Sequence, residues 1–153
     1  MKVSAKADYA VRAAAELAAA QVTGTLVRAE AIATAQGIPQ RFLENILSDL
    51  RHAGIVQSQR GAEGGHRLNR PAAEISVADV IRAVDGPLAA VRGERPENVS
   101  YSGPAEPLQR VWIALRKNLR DVVEHVTLAD LATGTLPESI DALADDPDAW
   151  TRR

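Results

Sequence analysis

Gly37–Arg70 runs GIPQRFLENILSDLRHAGIVQSQRGAEGGHRLNR, and the reading of this stretch decides the fold. Pro39 suits the first position of a helix, where the N–H it lacks would have no partner in any case. Phe42, Leu43, Ile46, Leu47 and Leu50 then recur at helical spacing, which predicts one face packed on a core. Gln40, Arg41, Glu44, Asn45, Asp49 and Arg51 fall on the other face. That is a donor-and-acceptor set of the kind that reads base edges and phosphates in a major groove. Gly54 supplies the left-handed backbone that often ends a helix.

Behind the helix, Ile55–Ser58 and His66–Leu68 are two short strand candidates joined by Gln59–Gly65. Gly61, Gly64 and Gly65 allow a tight turn and close approach of another backbone, while Arg60, His66 and Arg67 give the hairpin a basic character. Alone, such a hairpin is a solvated surface feature; directly behind a helix-turn-helix it becomes a wing.

Upstream, Ser4 to about Ala20 reads as a first helix capped by Ser4, with Val3, Ala7, Ala10, Val11, Ala14, Leu17 and Ala18 as its apolar stripe. So many alanines imply close helix packing. Lys2, Ser4 and Lys6 stand at its start, where free N–H groups and positive side chains can hold a phosphate. Thr23-Gly24-Thr25 turns the chain into a second helix, Leu26 to Ala35, with Val27, Ala31, Ile32 and Ala35 inward and Arg28 and Glu30 outward. The turn at Gly37 then completes a helix-turn-helix.

Downstream, Ser76 and Asp79 form a capping-box pattern for a fourth helix that ends at Gly86-Pro87. Residues 88–107 lack periodicity and read as a long loop, the place where control by a protein or small-molecule effector would act. From Pro104 or Ala105 to Val126 the apolar residues Leu108, Trp112, Leu115, Leu119, Val122 and Val126 alternate in steps of four and three, the pattern of a helix packed along a partner helix. Val111, Ile113 and Val123 widen that face, so that one side can pack on its own domain while another meets a second subunit. Thr127 and Asp130 cap a short helix ending at Gly134, and the acidic stretch beyond Pro137 reads as a mobile or weakly docked tail, with Trp150 as its one candidate anchor. The expected fold is mainly α with a small β-hairpin. It divides into a winged helix-turn-helix domain (1–86), a regulatory or flexible loop (87–107), a dimerisation helix with a short capping helix (108–134) and a tail (135–153).

Composition sets the bounds. Hydrophobic residues make up 46% of the 153 and aromatics only 3%, so the apolar content is aliphatic and favours helices. No stretch approaches the ~20 apolar residues that span a bilayer, and a cytoplasmic protein without a membrane partner is expected. The net charge of −2 conceals a division: residues 1–70 hold nine Lys/Arg and six Asp/Glu, a net of +3, and residues 71–153 hold nine and fourteen, a net of −5. A basic head suits a phosphate-bearing partner, double-stranded DNA. The absence of cysteine excludes disulfides, thiolate nucleophiles and cysteine-ligated clusters. His52, His66 and His125 are scattered, no metal site is expected, and no nucleophile–base pair or phosphate-binding loop suggests an enzyme.

These residues resemble those of a known group, the IscR/NsrR/CymR regulators of the bacterial Rrf-two family. The resemblance rests on Lys2-Val-Ser4 with Tyr9-Ala-Val-Arg12, on Ile38-Pro-Gln-Arg-Phe-Leu-Glu44 with Leu50-Arg51 and Ala53-Gly54-Ile-Val, and on Arg60-Gly61 with Gly64-Gly65-His-Arg-Leu68. It continues through Ile75 to Gly86, Trp112 and Thr127-Leu-Ala-Asp-Leu131, so it covers about residues 1–134. It implies a two-fold dimer, paired through the long helix, that binds a palindromic operator and represses or activates transcription. By the same resemblance, Glu44 takes the place of a base-reading glutamate and Arg60 that of an arginine entering the minor groove. Cluster-binding members place three cysteines in the loop after the fourth helix; residues 88–107 have none. Asp8, where some members supply a carboxylate ligand, is expected instead to pair with Arg12 four positions on. Iron–sulfur or nitric-oxide sensing is therefore not expected, no cofactor is assigned, and the chain is nearer the cluster-free cysteine-metabolism repressor, which a partner protein controls. The competing reading is a protein-interaction module on a winged-helix scaffold.

Overall fold

Ser4 opens the first helix as expected, its Oγ accepting from the Ala7 N–H at 2.9 Å. The computed structural model describes residues 1–153. Helix α1 (Ala5–Gln21) is central: Ala7, Ala10, Ala13, Ala14, Leu17 and Ala18 are buried, and α1 touches the second, third, fourth and sixth helices as well as the hairpin. Alanine is what allows so many elements to approach one helix, because a methyl group keeps interaxial distances near the short end of the ~8–10 Å range. Val3, expected in the stripe, is 77% exposed because it precedes the cap and so lies outside the helix; Ala13 takes a place in the stripe instead.

Helix α2 (Ala29–Gln36) buries only Ile32, and Gly37 closes it in the left-handed conformation. It starts later than Leu26, and the expected inward Ala31 and Ala35 are exposed. Helix α3 (Gln40–His52) buries Leu43, Ile46, Leu47 and Leu50, with Ile38 just ahead also inside. Phe42 is a correction. It is 51% exposed, because one residue's rotation carries it off the buried arc to the α1 side, where its ring stands 6.5 Å from that of Tyr9.

Strands β1 (Val56–Gln59) and β2 (Gly65–Leu68) pair antiparallel, with Val56 opposite Leu68 and Ser58 opposite His66. Val27 adds an isolated antiparallel bridge to β2, exchanging hydrogen bonds with His66 at 2.9 and 2.7 Å. Val27 thus belongs to the wing rather than to α2. Helix α4 (Val77–Asp85) carries the expected capping box from Ser76 and Asp79, and α6 (Leu128–Thr133) carries another from Thr127 and Asp130. One hydrophobic core gathers Ala10, Leu17, Ile32, Leu43, Leu50, Ile55, Ile75, Val80 and Leu128.

Helix α5 (Leu108–Val123) has no buried residue, and it meets the rest of the chain through α4 and the 3-10 turn Pro96–Asn98. Residues 88–107 are laid down rather than loose: Pro96 and Val99 are buried, and the Trp112 indole N–H donates to the Tyr101 hydroxyl at 3.1 Å. The tail is likewise structured, as α7 (Glu138–Ala144) and a 3-10 turn at Pro147–Trp150. Trp150 does not anchor the tail in a groove: it is 79% exposed, and its indole N–H donates to the Ala144 carbonyl at 2.5 Å within the tail itself.

Leu43 is fully enclosed, so Leu43→Ala leaves a cavity under α3. It is expected to lower the unfolding free energy by about 2–5 kcal/mol in urea titrations, with no loss of helix at 0 M urea.

Candidate nucleic-acid interface

The four buried leucine and isoleucine side chains of α3 fix which arc faces out. At about 100° per residue, Gln40, Arg41, Glu44, Asn45, Ser48, Arg51 and His52 share that outer arc, and all but Ser48 are exposed. Ser48 and His52 were not among the sequence candidates, although the same helical count contains them. Asp49 was expected on this face but turns to α1, where its carboxylate binds Lys6 at 2.6 Å. The Arg41 guanidinium lies 5.7 Å from the centre of the Phe42 ring, which restrains it along the helix.

The hairpin sits beside this arc and is held by backbone. Gly64 is buried in the turn, where a Cβ would overlap the Gln59 carbonyl, and a Cβ on Gly65 would stand 2.9 Å from the Val27 carbonyl oxygen. Both glycines are therefore demanded by close approach, and their contribution is to shape the tip. Arg28 hydrogen-bonds the Ala62 carbonyl and reaches that of Gly61, so it staples the tip to the start of α2. Arg60 is exposed at the tip, and Arg67 is exposed with its Nε donating to Gln57 at 2.9 Å.

His66 departs from its expected place on the binding face. The register puts it on the same side as buried Val56 and Leu68, half-buried, with Nδ1 2.7 Å from the Ser58 hydroxyl. Burial, and then the charge of Arg51, hold its pKa below the ordinary 6.5 against the opposing pull of Glu30. Ser4 is also otherwise engaged: besides capping α1, its hydroxyl donates to Asp85, so its side chain has two partners within the chain. Lys2 borders an apolar groove of about 710 Å³ with Val3, Ile81, Leu119 and Val123.

Charge marks the same surface as the geometry. Lys2, Arg28, Arg41, Arg51, Arg60 and Arg67 take part in no ion pair; in the second half Arg82, Arg116, Lys117, Arg120 and Arg153 are paired, while Arg92, Arg95, Arg110 and Arg152 are not. Free cations beside a protruding helix and hairpin are the electrostatic footprint of a nucleic-acid reader.

The expected pairing residues are distributed along α5. Leu108, Trp112, Leu115 and Leu119 are half-buried, Val111 and Val122 are 54% and 36% exposed, and Val126 lies beyond the helix, 6% exposed, with its carbonyl accepting from the Val77 N–H. Val126 is thus a core residue of its own chain, because the helix ends at Val123 and the chain turns inward.

Comparison with known proteins decides the family. A family profile described as Rrf2, iron-dependent transcriptional regulator, matches residues 3–134. The chain belongs to the Rrf2 family. A Mycobacterium tuberculosis protein bearing an HTH-type transcriptional-regulator name is 53% identical over 146 residues, which cover 95% of this chain and 90% of that one. The HTH-type transcriptional regulator CymR of Bacillus subtilis is 35% identical over 136 residues, covering 88% and 92%. The solved structure of CymR, the global cysteine regulator of B. subtilis, superposes with a TM-score of 0.73 at 33% identity, covering 88% of this chain and 98% of that one. That of T. potens IscR gives 0.68 at 31%, covering 100% and 93%. This Rrf2 protein is accordingly a winged-helix, DNA-binding transcriptional regulator rather than an enzyme.

The residues present do not fit a thiolate-held iron cluster. The chain has no cysteine, Asp8 is paired with Arg12 at 2.9 Å, and no three His, Asp or Glu side chains are grouped to hold a metal ion. No helix is long and apolar enough to cross a membrane.

The depressed pKa of His66 sets a pH dependence. The unfolded chain takes up this proton first as pH falls through 6.5, so the stability is whole above that value and declines below it until the folded form is protonated too. The urea midpoint of the wild type is expected to fall further between pH 7.5 and 5.5 than that of His66→Gln; equal falls would contradict the assignment.

Proposed function

We propose that this Rrf2 regulator acts in the cytoplasm as a two-fold homodimer on a palindromic operator, as a repressor, without an iron–sulfur cluster. Each protomer lays the outer arc of α3 in a major groove and the tip with Arg60 against the adjacent minor groove. The observation that carries the reading is the set of unpaired cations on that arc and tip, Arg41, Arg51, Arg60 and Arg67, beside the unpaired exposed acceptor Glu44. Guanidiniums left without carboxylates supply phosphate contacts and groove insertion. Glu44 accepts from cytosine N4 and repels phosphate elsewhere, so it discriminates against wrong sequences more than it tightens binding to right ones.

The pairing surface in this proposal is the edge of α5 that carries exposed Val111 and Val122 and half-buried Leu115, while Leu119 and Val123 face their own chain. A 16-residue helix with no buried residue and an apolar stripe needs a partner surface to be stable in water. The unpaired cations also count against an interaction module that has lost DNA binding.

Fluorescence anisotropy with the promoter of the protein's own operon, at two salt concentrations, tests the proposal. Arg60→Ala is expected to weaken operator binding about 5- to 150-fold and to reduce the salt slope by about one. Glu44→Ala is expected to narrow the ratio between operator and scrambled DNA, chiefly by tightening the scrambled complex. Equal affinity of the wild type for both DNAs would refute sequence-specific reading.

A further inference from the structure

Four guanidiniums converge where α4, the segment after Gly86 and α5 meet. Arg82, Arg95, Arg116 and Arg120 line an open cleft of about 400 Å³, with Glu97 as the one carboxylate in its lining. That volume lies in the ~300–1,000 Å³ range of small-ligand sites, but the lining is cationic rather than apolar.

The neutralising groups stand largely outside the cleft. Glu124 accepts from Arg82 and, at 3.0 Å, from Arg120; Asp79 is 3.9 Å from Arg82 and is already used in the α4 cap. Glu97 accepts from Arg116, and Arg95 has no ion-pair partner. Both glutamates are held below the usual carboxylate range, Glu97 by its own backbone N–H and then Arg116, Glu124 by hydrogen bonds from Arg82 and then Arg120. Both are therefore ionised at neutral pH, and the four guanidiniums stand against three carboxylates, Glu97 in the lining and Glu124 and Asp79 beside it, which leaves Arg95 as the one cation without a partner. The connecting segment is also costly in backbone terms: Ala89 and Arg92 sit at φ +54° and +53°, where non-glycine residues are strained. Such residues collect at ligand clamps and switch segments.

We propose that this cleft binds a small multivalent oxyanion, of the phosphate, sulfate or polycarboxylate class, which bridges Arg95 to Arg82 on α4 and to Arg116 and Arg120 on α5. Planar guanidiniums match oxyanions through paired N–H donors, so one anion can satisfy several of them at once. Because α5 meets the body of the chain through α4 and the Pro96–Asn98 turn, an anion joining these elements sets the angle between winged helix and α5. Its consequence for DNA, a change in the separation of two reading heads, rests on the dimeric reading above; the site itself does not.

Isothermal titration calorimetry of the full chain, in buffers matched with chloride for ionic strength, tests the site with inorganic phosphate, sulfate, pyrophosphate and citrate in separate arms. Saturable binding of one anion per chain is expected, tightest for pyrophosphate or citrate according to whether the site takes phosphoryl or carboxylate groups. Arg95→Gln is expected to weaken it at least tenfold while leaving the melting temperature of the free protein unchanged, since Arg95 has no ion pair to lose. Arg60→Ala is expected to leave it unchanged. Heats no larger than those of chloride, equal affinity in Arg95→Gln, or loss in Arg60→Ala instead would each overturn the proposal, the last by placing the anion on the DNA face. Operator binding measured on the same preparations separates the two readings: a chain that binds the anion but no operator retains the site and loses the proposed function.

Discussion

The structure depends on how closely other elements can approach α1. Its buried face is five alanines and one leucine, and against it pack α2, α3, α4, α6 and the second strand of the wing. A larger side chain at Ala10, Ala13 or Ala14, each fully enclosed, would push one of these away, since a close-packed interior has no spare volume. The orientation of α3 follows. With Leu43, Ile46, Leu47 and Leu50 committed to that core, Gln40, Arg41, Glu44 and Asn45 have no other place than the outside. The reading surface is what remains when the packing surface has been spent.

Charge is distributed with the same economy. In the second half, Arg82 of α4 and Arg116, Lys117 and Arg120 of α5 meet glutamates and aspartates, and Arg110 of α5 does not. In the first half, Lys6 is tied to Asp49 across the α1–α3 junction and Arg12 to Asp8 along α1, while the cations of the outer arc and the tip take part in no ion pair. Exposed ion pairs are each worth little, ~0–1 kcal/mol, so this division says less about stability than about where positive potential is offered to a partner. The wing is held by groups that need no charge: the backbone rung at Val27, the staple from Arg28, and two glycines whose missing Cβ atoms allow the chains to touch.

Much of this was legible in the sequence. The helical apolar spacing in α3, the turn at Gly37, the left-handed Gly54, and the Ser76–Asp79 and Thr127–Asp130 boxes are local signals, and local physics produced the elements they predict. What escaped was set by long-range pairing. Val27 looks like a helix residue because a single β-rung leaves no period in the sequence. His66 looks like a tip residue until the register with Ser58 turns it inward, and Phe42 looks like core until the neighbouring Tyr9 is placed. Residues 88–107 show no period, yet Pro96, Val99 and the Tyr101–Trp112 hydrogen bond fasten them to α5 through contacts that no window of sequence contains. The iron in the family's description belongs to the same lesson, since a fold can be shared while the ligands that would hold a cluster are missing from this chain.

The central claim is that one surface, the outer arc of α3 with the neighbouring tip, meets duplex DNA twice and symmetrically. Hydroxyl-radical footprinting of the complex on its operator tests that claim most directly, because it reports backbone protection nucleotide by nucleotide. The account predicts two equivalent protected patches related by a dyad, with centres about one helical turn or a multiple apart. A single patch, or uniform protection with no dyad, would contradict it.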